Sequence, residues 1–258
     1  MQANVRVEDA DRARWITIAR GNKANALMPD DCRAIQELVE SVPRDVEAVV
    51  FRGEGDRSFC AGMDVVAFLD LDAGTARGYI EPLKDMLNAV RTLPLPTVSV
   101  INGACIGAGI ELAAACDLRI AASHARFGLP EIKVGIPTAL DAALLQQYIG
   151  LGRTKQMILT GEFHTAEEMQ RWGLLTDVVP GAELDAAARK LVAKLVGNTR
   201  AVVAAQKRMF EVWQNYGIKT ANDVSVDVWA AVFTDPETLA SIARYKASHL
   251  SKKKTTTV

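Results

Sequence analysis

The chain has 258 residues, which is enough for one large domain with a substantial hydrophobic core. It is 49% hydrophobic and 24% charged, and its formal net charge of −1 gives no reason to expect a nucleic-acid or membrane partner. Four cysteines lie in apolar or glycine-rich stretches without CxxC pairs (Cys32, Cys60, Cys105 and Cys116). This usage favours free thiols over disulfides or zinc, and the N-terminus has no apolar leader segment, so we expect a cytoplasmic protein.

The first half of the chain alternates between strand and helix patterns. β-branched or alternating apolar residues predict strands at 14–19, 47–52, 98–101 and 118–122. Apolar residues at helical spacing predict helices at 29–42, through the stretch that carries Ile80, Leu83, Leu87 and Val90, and at 110–116. The recurring order of strand, turn, helix and strand predicts an α/β protein with short crossover units.

The last third has a different, mainly helical pattern. Thr165 and Glu168 form a capping box that predicts a helix reaching about Trp172. Helical spacing with long apolar faces then recurs at 184–196, 199–214, 224–233 and 237–246.

A glycine-rich turn in residues 98–117 is the first candidate functional feature. After the strand at 98–101, Gly107-Ala108-Gly109 allows a tight turn and a close approach of the backbone to a ligand. The apolar helix that follows has one charged residue in its first turn, Glu111. A carboxyl group in such surroundings is poorly hydrated, which raises its pKa towards a value useful for proton transfer.

A second small-residue turn, Ala61-Gly62-Met63-Asp64, follows the strand at 47–52. Two such turns can direct two backbone N–H groups at one oxygen atom and so form an oxyanion hole. The alternative is structural, because Gly-x-Gly corners are common and Glu111 at a helix N-terminus also complements the helix dipole.

Three motifs together resemble those of the crotonase (enoyl-CoA hydratase/isomerase) superfamily: Ala61-Gly62-Met63-Asp64, Asn102-Gly103 with Gly107-Ala108-Gly109-Ile110-Glu111-Leu112, and Phe127-Gly128-Leu129-Pro130-Glu131. The resemblance implies the crotonase (ClpP-like) fold of repeated ββα units. It also implies a core domain over residues 1–200 that binds a CoA thioester. Residues 201–258 would form a helical region that packs on the core and on neighbouring subunits, giving homotrimers or homohexamers.

The resemblance also implies roles for individual residues. Glu111 would activate water, Glu131 would exchange the α-proton, and the backbone N–H groups of Met63 and Ala108 would form the oxyanion hole. The substrate or CoA would also contact Lys23, Ala24, Ala61, Gly62, Asp64 and Gly107. A structural role remains open for Glu131 as a turn cap and for Lys23 as a solvated loop residue.

The sequence departs from the common hydratase pattern at Pro137-Thr138-Ala139-Leu140-Asp141, where hydratases usually have a glycine-rich run. Thr138, Leu140 and Asp141 are therefore possible acyl-pocket residues. Asp141 lies near the start of a predicted helix at 141–148 and either complements that helix's dipole or lines the pocket close enough to Glu131 to raise its pKa.

Two candidate glutamates favour a lyase that hydrates a 2-enoyl-CoA. An isomerase or another crotonase reaction on an acyl-CoA is the alternative, and a CoA-binding protein with little catalysis is the third. No ligand cluster or dinucleotide fingerprint accompanies the two turns, so we expect no metal and no redox cofactor.

Overall fold

The computed structural model describes the backbone of residues 4–255 and the side chains of residues 4–247. The strands in this part of the chain are β1 (Val5–Ala10), β2 (Ala13–Ile18), β3 (Ala48–Gly53), β4 (Ser58–Cys60), β5 (Thr97–Ile101), β6 (Ala104–Ile106), β7 (Leu118–Ala122), β8 (Arg126–Gly128), β9 (Phe163–Thr165) and β10 (Asp177–Val179). The α-helices are α1 (Pro29–Glu40), α2 (Ala76–Thr92), α3 (Ala108–Ala115), α4 (Leu145–Tyr148), α5 (Gly150–Thr160), α6 (Ala166–Trp172), α7 (Leu184–Leu195), α8 (Arg200–Asn215), α9 (Ile218–Ala231) and α10 (Pro236–Thr255). Short 3-10 helices are Gly21–Lys23, Val65–Phe68, Pro130–Val134, Leu140–Leu144, Gly181–Glu183 and Val232–Thr234.

The strands form two sheets. The larger sheet has the order β1-β2-β3-β5-β7-β10, and its pairs are parallel except for β1 with β2. The smaller sheet has the order β4-β6-β8-β9, in which β4, β6 and β8 are parallel and β9 is antiparallel to β8.

The central strands of the larger sheet are buried on both faces, because helices cover each side. Side chains of one face, such as Ile16 and Phe51, join the main core with α1, α2 and α3. Side chains of the other face, such as Trp15 and Val50, pack with α7. Parallel strands covered in this way are expected to have continuous apolar runs, as these strands do.

The predicted α/β class is confirmed, and the predicted strands of the larger sheet lie within one or two residues of the observed ones. The capping box at Thr165 and Glu168 is present, with both of its hydrogen bonds formed. Several elements differ from the prediction. The smaller sheet, the edge strands β1 and β10 of the larger sheet, and α5 were not predicted. In addition, α9 begins at Ile218 rather than at 224, and the helix expected at 141–148 is the 3-10 helix Leu140–Leu144 followed by α4.

The chain separates into two compact units, one ending at Val196 and the other beginning at Gly197. The second unit contains α8, α9 and α10. It exposes several large apolar side chains, among them Phe210, Trp213, Trp229, Leu239 and Tyr245. None of the helices between residues 4 and 255 combines the length and the apolar character needed to span a membrane.

Candidate active site

The two small-residue turns lie side by side because the strands that precede them are neighbours. β4 and β6 are parallel, with Cys60 paired to Cys105, so their carboxyl ends reach the same edge of the smaller sheet. The turn after β4 contains Gly62, and the turn after β6 contains Gly107. A Cβ atom built on Gly62 would lie 3.5 Å from the backbone nitrogen of Ala108, which shows how closely the two turns approach.

Two backbone N–H groups at this junction have no hydrogen-bond partner among the described residues. Gly62 O accepts from Leu27 N at 2.8 Å, and Asp64 N donates to Leu27 O at 2.9 Å. The N–H of Met63, between them, therefore points away from Leu27, because successive N–H groups of an extended chain alternate in direction. The N–H of Ala108 is free because Ala108 is the first residue of α3. A ligand oxygen in front of both groups would accept two hydrogen bonds.

Glu111 lies one turn further along α3 than Ala108, on the same side of the helix, and is only 5% exposed. Burial, followed by the negative charges of Glu131 and Asp141, raises the pKa of Glu111 to about 8, while a hydrogen bond from the backbone N–H of Ala142 acts in the opposite direction. The surroundings of Glu111 therefore favour its protonated form. The direction of this shift agrees with the one predicted from the sequence.

Glu131 reaches the same place from the 3-10 helix Pro130–Val134. Its Oε2 accepts a hydrogen bond from the hydroxyl of Thr138 at 2.9 Å. Its Oε1 lies against Gly107, where a Cβ atom would be only 2.6 Å away. Gly107 also has a φ of +54°, so both its backbone conformation and the space beside it require glycine.

Both glutamates line a cavity of about 590 Å³. The Met63 and Ala108 residues lie on its wall, and most of the remaining wall is apolar. The apolar lining comes from the 3-10 helix Val65–Phe68, from α2 and from the segment after Pro130, and includes Val65, Phe68, Leu71, Ile80, Leu83, Val134, Ile136 and Leu140. The cavity thus combines two polar, proton-carrying groups and two N–H donors with an apolar extension.

Asp64 lies beside the cavity, and its contacts hold the first turn in place. Its carboxylate pairs with Arg20 at 2.7 Å and accepts a hydrogen bond from Val66 N at 3.0 Å. Burial opposes its charge, but the hydrogen bonds from Arg20 and Val66 and the charges of Arg20 and Lys23 hold the pKa of Asp64 below its usual value. Asp64 therefore joins the end of the first turn to Arg20, and its contacts favour the ionised carboxylate.

The other predicted contacts fall in two places. Ala61 and Gly62 line the cavity, whereas Lys23 and Ala24 are exposed and lie outside its wall. The carbonyl oxygen of Ala24 accepts from Ala61 N at 3.1 Å, so the turn at 21–26 is joined directly to the first oxyanion turn.

The segment that departs from the hydratase pattern is divided between the cavity and the wall behind it. Thr138 and Leu140 line the cavity, but Asp141 does not. Asp141 lies in the first turn of the 3-10 helix Leu140–Leu144, 3.5 Å from Nε of Arg91. Its charge acts on Glu111, whereas the pocket alternative derived from the sequence had placed it beside Glu131.

Three contacts of this site were not predicted from the sequence: Thr138 with Glu131, Arg20 with Asp64, and Arg91 with Asp141. The first joins residues only seven positions apart, and the polar residue in an otherwise apolar run was an available signal. The last joins residues fifty positions apart, and no local pattern marks it.

The chain matches the family model "Enoyl-CoA hydratase/isomerase" over residues 12–248. It is 29% identical to a crotonyl-CoA hydratase of Syntrophomonas wolfei, with 96% of this chain and 98% of that protein covered. It is 31% identical to a short-chain-enoyl-CoA hydratase of Clostridium acetobutylicum, covering 84% and 85% of the two chains.

The comparison with solved structures supports membership of the same family. The crystal structure of an enoyl-CoA hydratase from Bacillus anthracis superposes with a TM-score of 0.90 at 27% identity, covering 95% of this chain and 96% of that one. The expected crotonase fold is therefore confirmed. The chain belongs to the enoyl-CoA hydratase/isomerase family of the crotonase superfamily and is an enzyme of that family.

Proposed function

We propose that the protein is an enoyl-CoA hydratase, which adds water across the 2,3 double bond of a 2-enoyl-CoA to give a 3-hydroxyacyl-CoA. The observation that carries this proposal is the presence of two carboxyl groups, Glu111 and Glu131, in one cavity beside two free N–H donors. The names of the crotonyl-CoA and short-chain-enoyl-CoA hydratases among the relatives support the same reaction.

The thioester oxygen would accept hydrogen bonds from the N–H groups of Met63 and Ala108. These donors stabilise the negative charge that develops on the oxygen when water adds to C3, and removing one such donor typically costs about 10²–10³-fold in rate. Because both donors are backbone groups of fixed turns, they need no rearrangement when the charge forms.

The two glutamates would move the protons. One carboxylate takes a proton from the water whose oxygen bonds to C3, and the other carboxyl group gives a proton to C2, so the pair must hold one proton at the start. The resemblance to the family assigns the water to Glu111 and C2 to Glu131. That assignment requires the proton to reside on Glu131 once the substrate is bound.

Burial and the neighbouring charges raise the pKa of Glu111 to about 8, which favours its protonated form. In the reverse assignment, Glu131 would accept the proton of water and Glu111 would supply the proton to C2. Interacting carboxyl groups titrate as a pair. Both assignments begin with one proton on the two glutamates, so the total charge of the pair is the same in each. Both assignments predict loss of hydration when either side chain is made a permanent amide.

The acyl group would extend into the apolar part of the cavity, between α2 and the segment after Pro130. Lys23 and Ala24 would contact the CoA portion outside the cavity, where Lys23 is exposed and cationic. Ala61, Gly62, Asp64 and Gly107 would shape the passage between these two parts.

An isomerase that shifts the double bond of an acyl-CoA is the second candidate. Crotonyl-CoA and a 3-enoyl-CoA separate the two functions, because only a conjugated 2-enoyl thioester absorbs in the enoyl band. A hydratase removes this absorbance from crotonyl-CoA and leaves the 3-enoyl-CoA unchanged. An isomerase generates the absorbance from the 3-enoyl-CoA, and that result without loss of crotonyl-CoA absorbance would overturn the proposal.

We also propose that the enzyme acts without metal or redox cofactor, as a homotrimer or homohexamer in the cytoplasm. The exposed aromatic and aliphatic side chains of α8, α9 and α10 support subunit association. The four buried, free cysteines suit a reducing compartment.

A further inference from the structure

The segment from Pro137 to Ala142 has an unusual backbone. Leu140 has a φ of +51°, a conformation that bulky side chains rarely adopt. Its side chain is partly buried against the main core and also lines the cavity. Such a conformation persists only where the surroundings fix it, and strained residues of this kind cluster at functional sites.

The residues after Leu140 lie directly against Glu111. The backbone N–H of Ala142 donates a hydrogen bond to the carboxyl group of Glu111, and the charge of Asp141 faces the same group. Glu131 is the second carboxylate that faces Glu111. Among the described residues, the thiol of Cys60 also interacts with Glu111, but burial raises the pKa of Cys60 to about 12, so this thiol adds no charge.

Arg91 lies beside Asp141. Its Nε is 3.5 Å from Oδ2 of Asp141, and both side chains are only about one-fifth exposed, at 23% and 20%. Arg91 belongs to α2, the helix that also supplies Ile80 and Leu83 to the cavity wall. Asp141 thus pairs with Arg91 and also acts on Glu111, and because it is largely buried its charge is only weakly screened by solvent.

We propose that Arg91 and Asp141 are positioning residues that set the protonation of Glu111. Asp141 favours the protonated form of Glu111 by charge repulsion, and Arg91 limits this effect by partly neutralising Asp141. The same pair holds the strained segment at Leu140 against α2. This proposal for Arg91 and Asp141 goes one step beyond the proposed function. Its meaning for catalysis rests on that function.

Changing the charge of Arg91 or Asp141 should shift the pH at which Glu111 titrates, which a purely structural ion pair would not do. Removing the negative charge in Asp141→Asn should lower the pH at which Glu111 titrates. Removing the positive charge in Arg91→Gln removes the compensation that Arg91 gives to Asp141 and should raise that pH. Arg91→Lys retains the charge and should stay close to the wild type.

The test is an infrared titration of the whole protein. The C=O stretching band of the protonated Glu111 carboxyl group is identified by its absence in Glu111→Gln, and its midpoint is then measured in the wild type and the three variants. We expect midpoints about one pH unit lower in Asp141→Asn and at least half a unit higher in Arg91→Gln. The pH–rate profile for crotonyl-CoA hydration should move in the same two directions.

Midpoints that stay at the wild-type value, or that move in one direction in both variants, would overturn the proposal. If Arg91→Gln does not fold, the nearly isosteric Asp141→Asn decides it alone. Because the infrared titration needs no turnover, expected midpoint shifts in a protein that hydrates no enoyl-CoA would refute the proposed function and leave this inference standing.

Discussion

Replacing Glu111 with glutamine should stabilise the protein, and the gain should increase with pH. In the folded protein, burial and the charges of Glu131 and Asp141 raise the pKa of Glu111 from 4.5 to about 8. The unfolded chain has the ordinary value. Between these two pH values the unfolded state binds fewer protons than the folded state, so the free energy of unfolding falls as the pH rises. Glutamine carries no ionisable proton and escapes this loss.

The size of the effect follows from the two pKa values. Each pH unit between them corresponds to about 1.4 kcal/mol, so the full cost of ionising Glu111 in the folded protein is about 5 kcal/mol. Most of this cost develops between pH 5 and pH 8. The stability gain of Glu111→Gln should therefore be about 3 to 4 kcal/mol larger at pH 8 than at pH 5.

Urea unfolding followed by circular dichroism at both pH values measures this difference. The protein concentration is kept constant, so that subunit association contributes equally to each curve. Glu37→Gln is the matched control, because it makes the same exchange of glutamate for glutamine at an exposed position of α1. The control should show a change of only a few tenths of a kcal/mol. A pH-dependent gain below about 1 kcal/mol in Glu111→Gln would mean that Glu111 ionises freely, and would refute the reasoning.

Three further predictions concern the same site. Gly107→Ala should cost about 1–2 kcal/mol of stability, because alanine is strained in the left-handed backbone conformation of Gly107. It should also lower turnover more than about tenfold, because the added methyl group displaces Glu131. An unchanged kcat and an unchanged urea midpoint would contradict this prediction. Thr138→Val should lower kcat by about 10- to 100-fold, because it removes the hydrogen bond to the carboxylate of Glu131. Thr138→Ser keeps the hydroxyl group and should retain most of the wild-type kcat. An equal kcat in both variants would show that the hydroxyl has no role. Hydration of crotonyl-CoA should be unaffected by a chelator, and a loss of activity that zinc restores would disprove the metal-free proposal.

Local signals in the sequence were enough to predict the four inner strands of the larger sheet, β2, β3, β5 and β7, and most of the helices. The capping box at Thr165 predicts the start of α6 because its hydrogen bonds involve only residues within one turn. The three-residue strands of the smaller sheet have no such signal. β4, β6 and β8 are strands because each pairs with a neighbour more than twenty residues away, and three residues are too few to show a period.

The candidate site could be predicted in part for the same reason. Glycines and a glutamate at the start of an apolar helix predicted a turn with free N–H groups and a buried carboxyl group, which local patterns indicate. The charges of Glu131 and Asp141 that add to the raised pKa of Glu111 come from distant parts of the chain. The pairing of Arg91 with Asp141 depends on how α2 packs against the Leu140–Leu144 helix. That packing is a tertiary property, so the sequence could suggest that Asp141 is unusual but could not identify its partner or the glutamate it acts on.

The most direct test of the two-carboxylate mechanism is the turnover of crotonyl-CoA by Glu111→Gln and Glu131→Gln, measured as loss of enoyl absorbance together with the affinity for a saturated acyl-CoA. Each glutamate is proposed to move a proton rather than to hold the ligand, so each variant should lose at least about 10²-fold in kcat while its ligand affinity changes little. Near wild-type hydration by either variant would contradict the mechanism for that residue.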